Sequence, residues 1–262
     1  SICMNVLIIY AHPEPKSLNG SILNILKDQL NLAKYNIKIS DLYAQNWKSE
    51  VSREDFSELD ADSRLKVPHA SGISTANGSL SADVILEQEK LLWADTVIFL
   101  FPLWWYSMPA ILKGWFDRVY SYGFAYGVGE HNDNKWGERF GEGKLQGKKA
   151  MLIVTAGGWQ EHYSSVGING SIDDLLFPIN HNMLFYPGFD VLPPLVFYQA
   201  DRTAKTEFEM IKQAIIERVN TLEVTQAINY RKQNFGDYTI PQMQLKPHLV
   251  NSKQGFSIHT KE

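Results

Sequence analysis

Residues 101–109 read Phe101-Pro102-Leu103-Trp104-Trp105-Tyr106-Ser107-Met108-Pro109 and follow directly on the apolar run Thr96 to Leu100. A short, nearly continuous apolar run closed by such a break is the carboxyl end of a strand buried on both faces. Pro109 has the fixed φ that suits a first helical turn, and Ser107 stands where a cap could stand. Ala110 to Tyr120 then places Ile111, Leu112, Trp115, Phe116 and Val119 on one apolar helix face. The stretch therefore predicts strand, aromatic loop and helix. Ligands of open α/β sheets lie just beyond the carboxyl ends of strands, so three consecutive aromatics there can stack on a flat ring system. They can also simply cap the core, as aromatic clusters often do.

The same pattern recurs on either side. Met4 to Tyr10 is an apolar run feeding a polar loop, Ala11-His12-Pro13-Glu14-Pro15-Lys16-Ser17, and then a helix with Leu18, Ile22, Ile25, Leu26 and Leu30 inward. A helix N-terminus just past a strand is a ready anion site, because its free N–H groups and dipole point at the loop. The loop is neither G-x-G-x-x-G nor a Walker A loop, so a phosphate would be held by hydroxyl, amide and imidazole groups plus backbone. A plain helix capped by Ser17 is the alternative. Tyr35 to Leu42 alternates as a more exposed second strand. The long polar stretch 43–82 is expected to hold short helices, and Val84 to Ala94 a helix with Leu91 and Leu92 inward. Residues 121–148 hold seven of the 18 glycines and predict an irregular excursion.

Lys149 to Thr155 reads as the fourth strand, ending in Ala156-Gly157-Gly158, where backbone can approach a ligand closely or merely turn. Ser171 to Leu184 reads as a helix with Asp173 and Asp174 at its positive end and a kink at Pro178. Phe189 to Phe197 is the fifth strand, and Thr203 to Val219 a helix with Phe208, Ile211, Ile215 and Val219 inward. Strands alternating with helices make a doubly wound α/β sheet of five parallel strands. Two parts are expected: a domain over 1–223 and a C-terminal extension over 224–262, which wraps the domain or reaches a partner.

The 262-residue chain has a net charge of -4 and no dense basic run, which argues against nucleic acid as a partner. No apolar run approaches the length of a membrane span, and no leader pattern opens the chain, so no membrane insertion and a cytoplasmic location are expected. The single Cys3 has no partner for a disulfide or metal site, and no metal is expected.

Taken together, these residues resemble the NAD(P)H:quinone oxidoreductases of the DT-diaphorase type, which are flavodoxin-like flavoproteins. The matching pieces run in order from about Val6 to Tyr198: Ala11-His12 with Ser17-Leu18-Asn19, Ser40-Asp41-Leu42-Tyr43-Ala44, Phe101-Pro102-Leu103, Trp105, Phe124-Ala125-Tyr126, Thr155 with Gly157-Gly158, Tyr163 and Gly167-Ile168. The block Pro109-Ala110-Ile111-Leu112-Lys113-Gly114-Trp115-Phe116 with Arg118-Val119 is the most specific.

The resemblance implies bound FAD that takes hydride from NADH or NADPH and passes two electrons to a quinone, or a nitro or azo compound, in a ping-pong cycle. It puts His12, Ser17, Leu18 and Asn19 along the pyrophosphate and ribityl side. Pro102, Leu103, Trp104, Trp105 and Tyr106 fall along the isoalloxazine, and Thr155, Ala156, Gly157 and Gly158 approach its ring. Tyr163 donates toward the pyrimidine end, where a positioned donor stabilises developing charge. Trp105, Tyr126, Gly127, Val128 and Tyr186 face the substrate, in a cavity that a second subunit of a homodimer completes. Four departures stand out, one being Trp104, a second large ring where the family pattern has a glutamine. Asn169 occupies the place of a family histidine paired with Tyr163, and Asn cannot titrate near neutral pH. Val128 replaces a cavity tyrosine. No arginine in the last helix matches the one expected beside adenine, which keeps FMN open as the cofactor. A different class of function also stands: a flavin-binding ancillary partner of another protein, such as a membrane transporter, reached through the extension.

Overall fold

Alternate residues of three apolar runs go to opposite faces of one sheet. Leu7, Ile9, Val97, Phe99, Phe101, Leu152 and Val154 enter one core cluster; Val6, Ile8, Tyr10, Ile98, Leu100, Met151 and Ile153 enter the other. The structure, a computed structural model, describes residues 4–252 and 254–262; the reading placed on Cys3 lies outside the described residues.

The chain runs β1 (Asn5–Tyr10), α1 (Leu18–Leu32), β2 (Asn36–Asp41), α2 (Val67–Asn77), α3 (Ala82–Trp93), β3 (Thr96–Pro102), α4 (Ala110–Val119), β4 (Lys149–Thr155), α5 (Ile172–Ile179), β5 (Asp190–Val191), β6 (Leu195–Phe197) and α6 (Lys205–Asn220). Every ladder is parallel, in the order β2-β1-β3-β4-β5, with β6 also paired to β4. α1 and α6 contribute Ile22, Leu26, Leu30, Ile211, Ile215 and Val219 to one face. α3, α4 and α5 cover the other with Leu91, Trp115, Phe116 and Leu176. This is the doubly wound arrangement expected, and it brings the carboxyl ends of β1, β3 and β4 side by side.

Several local expectations are corrected. The fifth strand is split, because Pro193 and Pro194 have no N–H to give the ladder to β4. Leu92 is 49% exposed while Leu91 is buried, since neighbours on a helix stand about 100° apart and cannot share one face. Pro109 is the N-cap residue of α4 and the helix starts at Ala110; Ser107 makes no cap bond there. α5 carries Pro178 and passes at Asn180 into a π-helical turn reaching Phe185. Among the described residues, no helix is long and apolar enough to cross a membrane.

The extension folds back on the domain. Ile228 N donates to Val191 O, Gln233 N to Phe140 O, and Phe256 stacks on Phe177 at 4.4 Å. Tyr230 is buried among Phe177, His181 and Phe185. The extension thus seats Tyr230, Gln233, Tyr238 and Leu245 in buried positions, while Val224, Phe235, Val250 and Phe256 stay exposed.

Candidate flavin site

The first-strand loop is held by α1 itself. Ser17 caps the helix: its Oγ accepts from Gly20 N at 3.0 Å and donates to Glu14 O at 2.6 Å. Gly20 lies so close to the loop that a Cβ would meet Pro15 O at 2.0 Å. His12 Nδ1 accepts from Glu14 N at 3.0 Å, and burial pushes this imidazole below its ordinary range, so it is neutral at pH 7. The N–H groups of Leu18 and Asn19 make no backbone bond within the described residues, which leaves the positive end of a 15-residue helix facing the loop.

Asn19 links β1's loop to β4. Thr155 Oγ1 donates to Asn19 Oδ1 at 2.7 Å, both residues being buried. The Asn19 amide nitrogen is a buried donor without a partner among the described residues. Such a group costs about 1–3 kcal/mol unless something meets it. Leu103 N donates to Thr155 O at 2.7 Å, which ties β3's loop to the same point, and His12 meets Trp104 edge-on at 5.9 Å. The three strand-end loops therefore form one continuous surface.

Residues 104–107 make a tight turn: Trp104 N donates to Ser107 O at 2.9 Å and Ser107 N to Trp104 O at 3.2 Å. Its two central residues, Trp105 (φ 49°) and Tyr106 (φ 65°), are both left-handed. Non-glycine residues pay for this conformation, and such strain clusters where ligands are gripped. The turn holds Trp105 93% exposed. Tyr106 Oη donates to Asn169 Oδ1 at 3.3 Å. The capping alternative for the three aromatics fails on this exposure: Trp104, Trp105 and Tyr106 all stand out from the core.

Past β4, Gly157 has open space where a Cβ would stand, apart from Asp201 Oδ2 at 3.6 Å, whereas a Cβ on Gly158 would press on the Tyr163 ring at 3.0 Å. Burial pushes the Tyr163 phenol up, Tyr106 adds to the rise, and Asn169 opposes it. Tyr163 therefore stays protonated and can donate at any pH near neutral. His162 is turned away: its ring stacks on Trp159 and its Nδ1 accepts from Trp159 N at 3.3 Å.

One loop went unread in the sequence. Tyr198 packs on Tyr163 at 5.6 Å, Gln199 N donates to Gly158 O, and Ala200 N donates to Ala156 O. Its signal was position alone, the carboxyl end of the split fifth strand. This loop borders a groove of about 370 Å³ between the N-termini of α1 and α6, lined by Leu18, Ser21, Thr203, Lys205 and Phe208.

The substrate-facing residues are only partly gathered. Trp105 belongs to the strand-end surface. Tyr126, Gly127 and Val128 sit in the glycine-rich excursion, where Tyr126 packs edge-on against Tyr122 at 5.2 Å and Glu138 N donates to Val128 O. Tyr186 packs on Phe140 at 4.9 Å. None of these four forms a ring contact or hydrogen bond with the strand-end loops among the described residues. No metal-ligating cluster is present among the described residues either.

A model of the flavodoxin-like fold matches residues 4–221. The chain belongs to this flavodoxin-like family. Within it, a human ribosyldihydronicotinamide dehydrogenase [quinone] is 39% identical, across 83% of this chain and 91% of its own. A rat NAD(P)H dehydrogenase [quinone] 1 is 36% identical, across 82% and 76%. A ribosyldihydronicotinamide dehydrogenase-like protein of Penicillium crustosum is 54% identical, across 98% and 96%. A solved structure from Klebsiella pneumoniae, provisionally named a quinone reductase, superposes with a TM-score of 0.96 at 55% identity, covering 98% of this chain and 100% of that one. The last two alignments extend into residues 224–262, so the extension has counterparts.

Proposed function

We propose that this chain is a flavin-dependent two-electron reductase of quinones, with a dihydronicotinamide as electron donor. The observation that carries this is the Asn19 amide, buried and without a partner among the described residues where the β1, β3 and β4 loops meet, with the exposed Trp104, Trp105 and Tyr106 on the β3 loop. A flat, hydrogen-bonding polycycle with a phosphate tail satisfies each feature, and the names of the relatives agree. When bound, the flavin supplies the two-electron hydride chemistry, which the side chains here cannot.

The chain's own residues do the rest. The α1 N-terminus, capped by Ser17, offers a phosphate the N–H groups of Leu18 and Asn19 beside the neutral His12 ring, and Asn19 also offers its free amide. Pro102, Leu103, Trp104, Trp105 and Tyr106 provide an apolar wall that excludes water. Thr155, Ala156 and Gly157 with Gly158 give a close backbone edge. Tyr163 presents a neutral phenol, and Asn169 with Tyr106 positions it. Asn169 does not titrate near neutral pH, so position 169 orients rather than relays.

FAD fits better than FMN because the groove beside Leu18 and Phe208 continues the site beyond a first phosphate. Tyr126, Gly127, Val128 and Tyr186 are proposed to face the substrate bound on a second copy of the chain, making a homodimer. The names of the relatives divide between ribosyldihydronicotinamide and NAD(P)H as donor, so the short riboside belongs beside NADH and NADPH in any test.

The test is the visible spectrum of the purified protein under anaerobic conditions. Bleaching by a dihydronicotinamide straight to the two-electron level, with recovery on adding a quinone, is expected. A chain that cannot be loaded with FAD or FMN refutes the proposal.

A further inference from the structure

Away from the strand ends, the extension folds over the π-helical turn Asn180–Phe185 and leaves a cavity of about 160 Å³. Its wall comprises Phe140 and His181 from the domain, with Arg231, Tyr238, Met243 and His259 from the extension. None of these residues belongs to the surfaces assigned above to flavin, nicotinamide or quinone. A dry cavity of about 150 Å³ accommodates benzene, so this space matches one six-membered aromatic ring.

The wall also selects chemistry. His181 is 7% exposed and lies between Phe177 at 4.4 Å and Phe140 at 4.7 Å, both stacked on its ring. Its Nδ1 is 2.7 Å from Asn182 Oδ1. An amide oxygen only accepts, so this bond assigns the proton to Nδ1 and leaves Nε2 a bare acceptor. That Nε2 makes no hydrogen bond among the described residues, and it is the polar atom His181 has left to offer the cavity. Most of the remaining polar wall is already engaged, with His259 Nε2 the exception on a ring that is only half-buried. Tyr238 Oη and His259 Nδ1 share a bond of 2.8 Å, and Arg231 is paired with Asp237 at 3.1 Å. Gln233 accepts from Arg139 and donates to Trp136 O. Burial holds both imidazoles below their usual range, so at neutral pH the wall carries no unanswered charge. An anion would have to displace Asp237. A neutral ring with one hydroxyl donor would not.

We propose that this cavity is a binding site for a neutral monocyclic phenol, its hydroxyl donating to His181 Nε2 and its ring lying against Phe140, Tyr238 and Met243. The chain has six methionines, so a spectrum of methyl-13C-methionine protein reports on Met243 directly. The full chain as purified, with whatever flavin it carries, is titrated with phenol and separately with toluene. The expected result is a saturable shift of the Met243 methyl with both probes. His181→Phe keeps the ring stack but loses the acceptor; it should weaken phenol at least tenfold and leave toluene within twofold. Met243→Trp fills the space and removes the reporter methyl, so binding to this variant is read from the probes' own proton signals: the saturable line broadening that the parent gives with phenol and toluene should be lost, which preserves the test if His181→Phe folds poorly. A Met243 methyl that never moves, shifts confined to other methyls, or equal phenol affinity in parent and His181→Phe each overturns the proposal. The readout is binding rather than turnover, so it stands apart from the reductase reading.

Discussion

Acidification should unlatch the extension through His181. In the folded chain, burial among Phe177, Phe140 and Tyr230 pushes this imidazole down to about 4, against 6.5 when unfolded. Below pH 6.5 the unfolded chain takes up a proton that the folded chain refuses, so protonation draws molecules toward the unfolded state. The stability is complete above pH 6.5 and is lost progressively as pH falls toward about 4. Integrated from pH 7.5 to 5.0, the loss from this one group is about 2 kcal/mol, out of a limit near 3 kcal/mol. Burial lowers His259 and His12 as well, so the parent should lose more than this single share. Urea denaturation followed by tryptophan fluorescence at the two pH values measures the total. His181→Phe, which retains an aromatic ring between Phe177 and Phe140, isolates the share of His181: its pH-dependent loss should be smaller than the parent's by about 2 kcal/mol. Equal losses in the two proteins would refute the argument, because the buried imidazole would then not be coupled to folding.

Arg118 is buried and donates to both Asp55 (2.7 Å) and Asp83 (2.8 Å). Arg118→Leu should lower stability in urea by about 3–5 kcal/mol, because the nearly buried Asp55 carboxylate loses its principal partner. Asn19→Ala removes the amide donor assigned to the flavin, and equilibrium dialysis should show flavin affinity reduced about tenfold, the scale of one hydrogen bond. Trp105→Gly should behave in two opposite ways: relief of a left-handed tryptophan raises thermal stability by about 1 kcal/mol, while the loss of the exposed ring raises KM for a quinone. Phe208→Ala should weaken FAD and leave FMN unchanged in the same dialysis; an equal effect on both would place the adenine half elsewhere.

The order of the strands along the chain, the two-sided burial of the sheet and the three strand-end loops were all legible in the sequence. Each is written in local chemistry: a strand covered on both faces reads as an unbroken apolar run such as Val6–Ile9, and a helix such as α1 repeats its apolar residues every three to four positions. Ser17 as a cap and Pro178 as the site of a helical irregularity belong to the same local code. Only the tertiary structure decided the rest. Trp104, Trp105 and Tyr106 have the composition of a core, and the left-handed turn closed by Ser107 is what turns them outward. Thr155, 136 residues away, fixes which way the Asn19 amide points by donating to its oxygen, and the nitrogen so placed has no partner among the described residues. The loop at Tyr198 and the aromatic stack that seats the extension on Phe177 and His181 likewise join segments with no shared periodicity. Repeats along a chain record which face of an element is covered, but the partner that covers it follows from packing summed over the whole molecule.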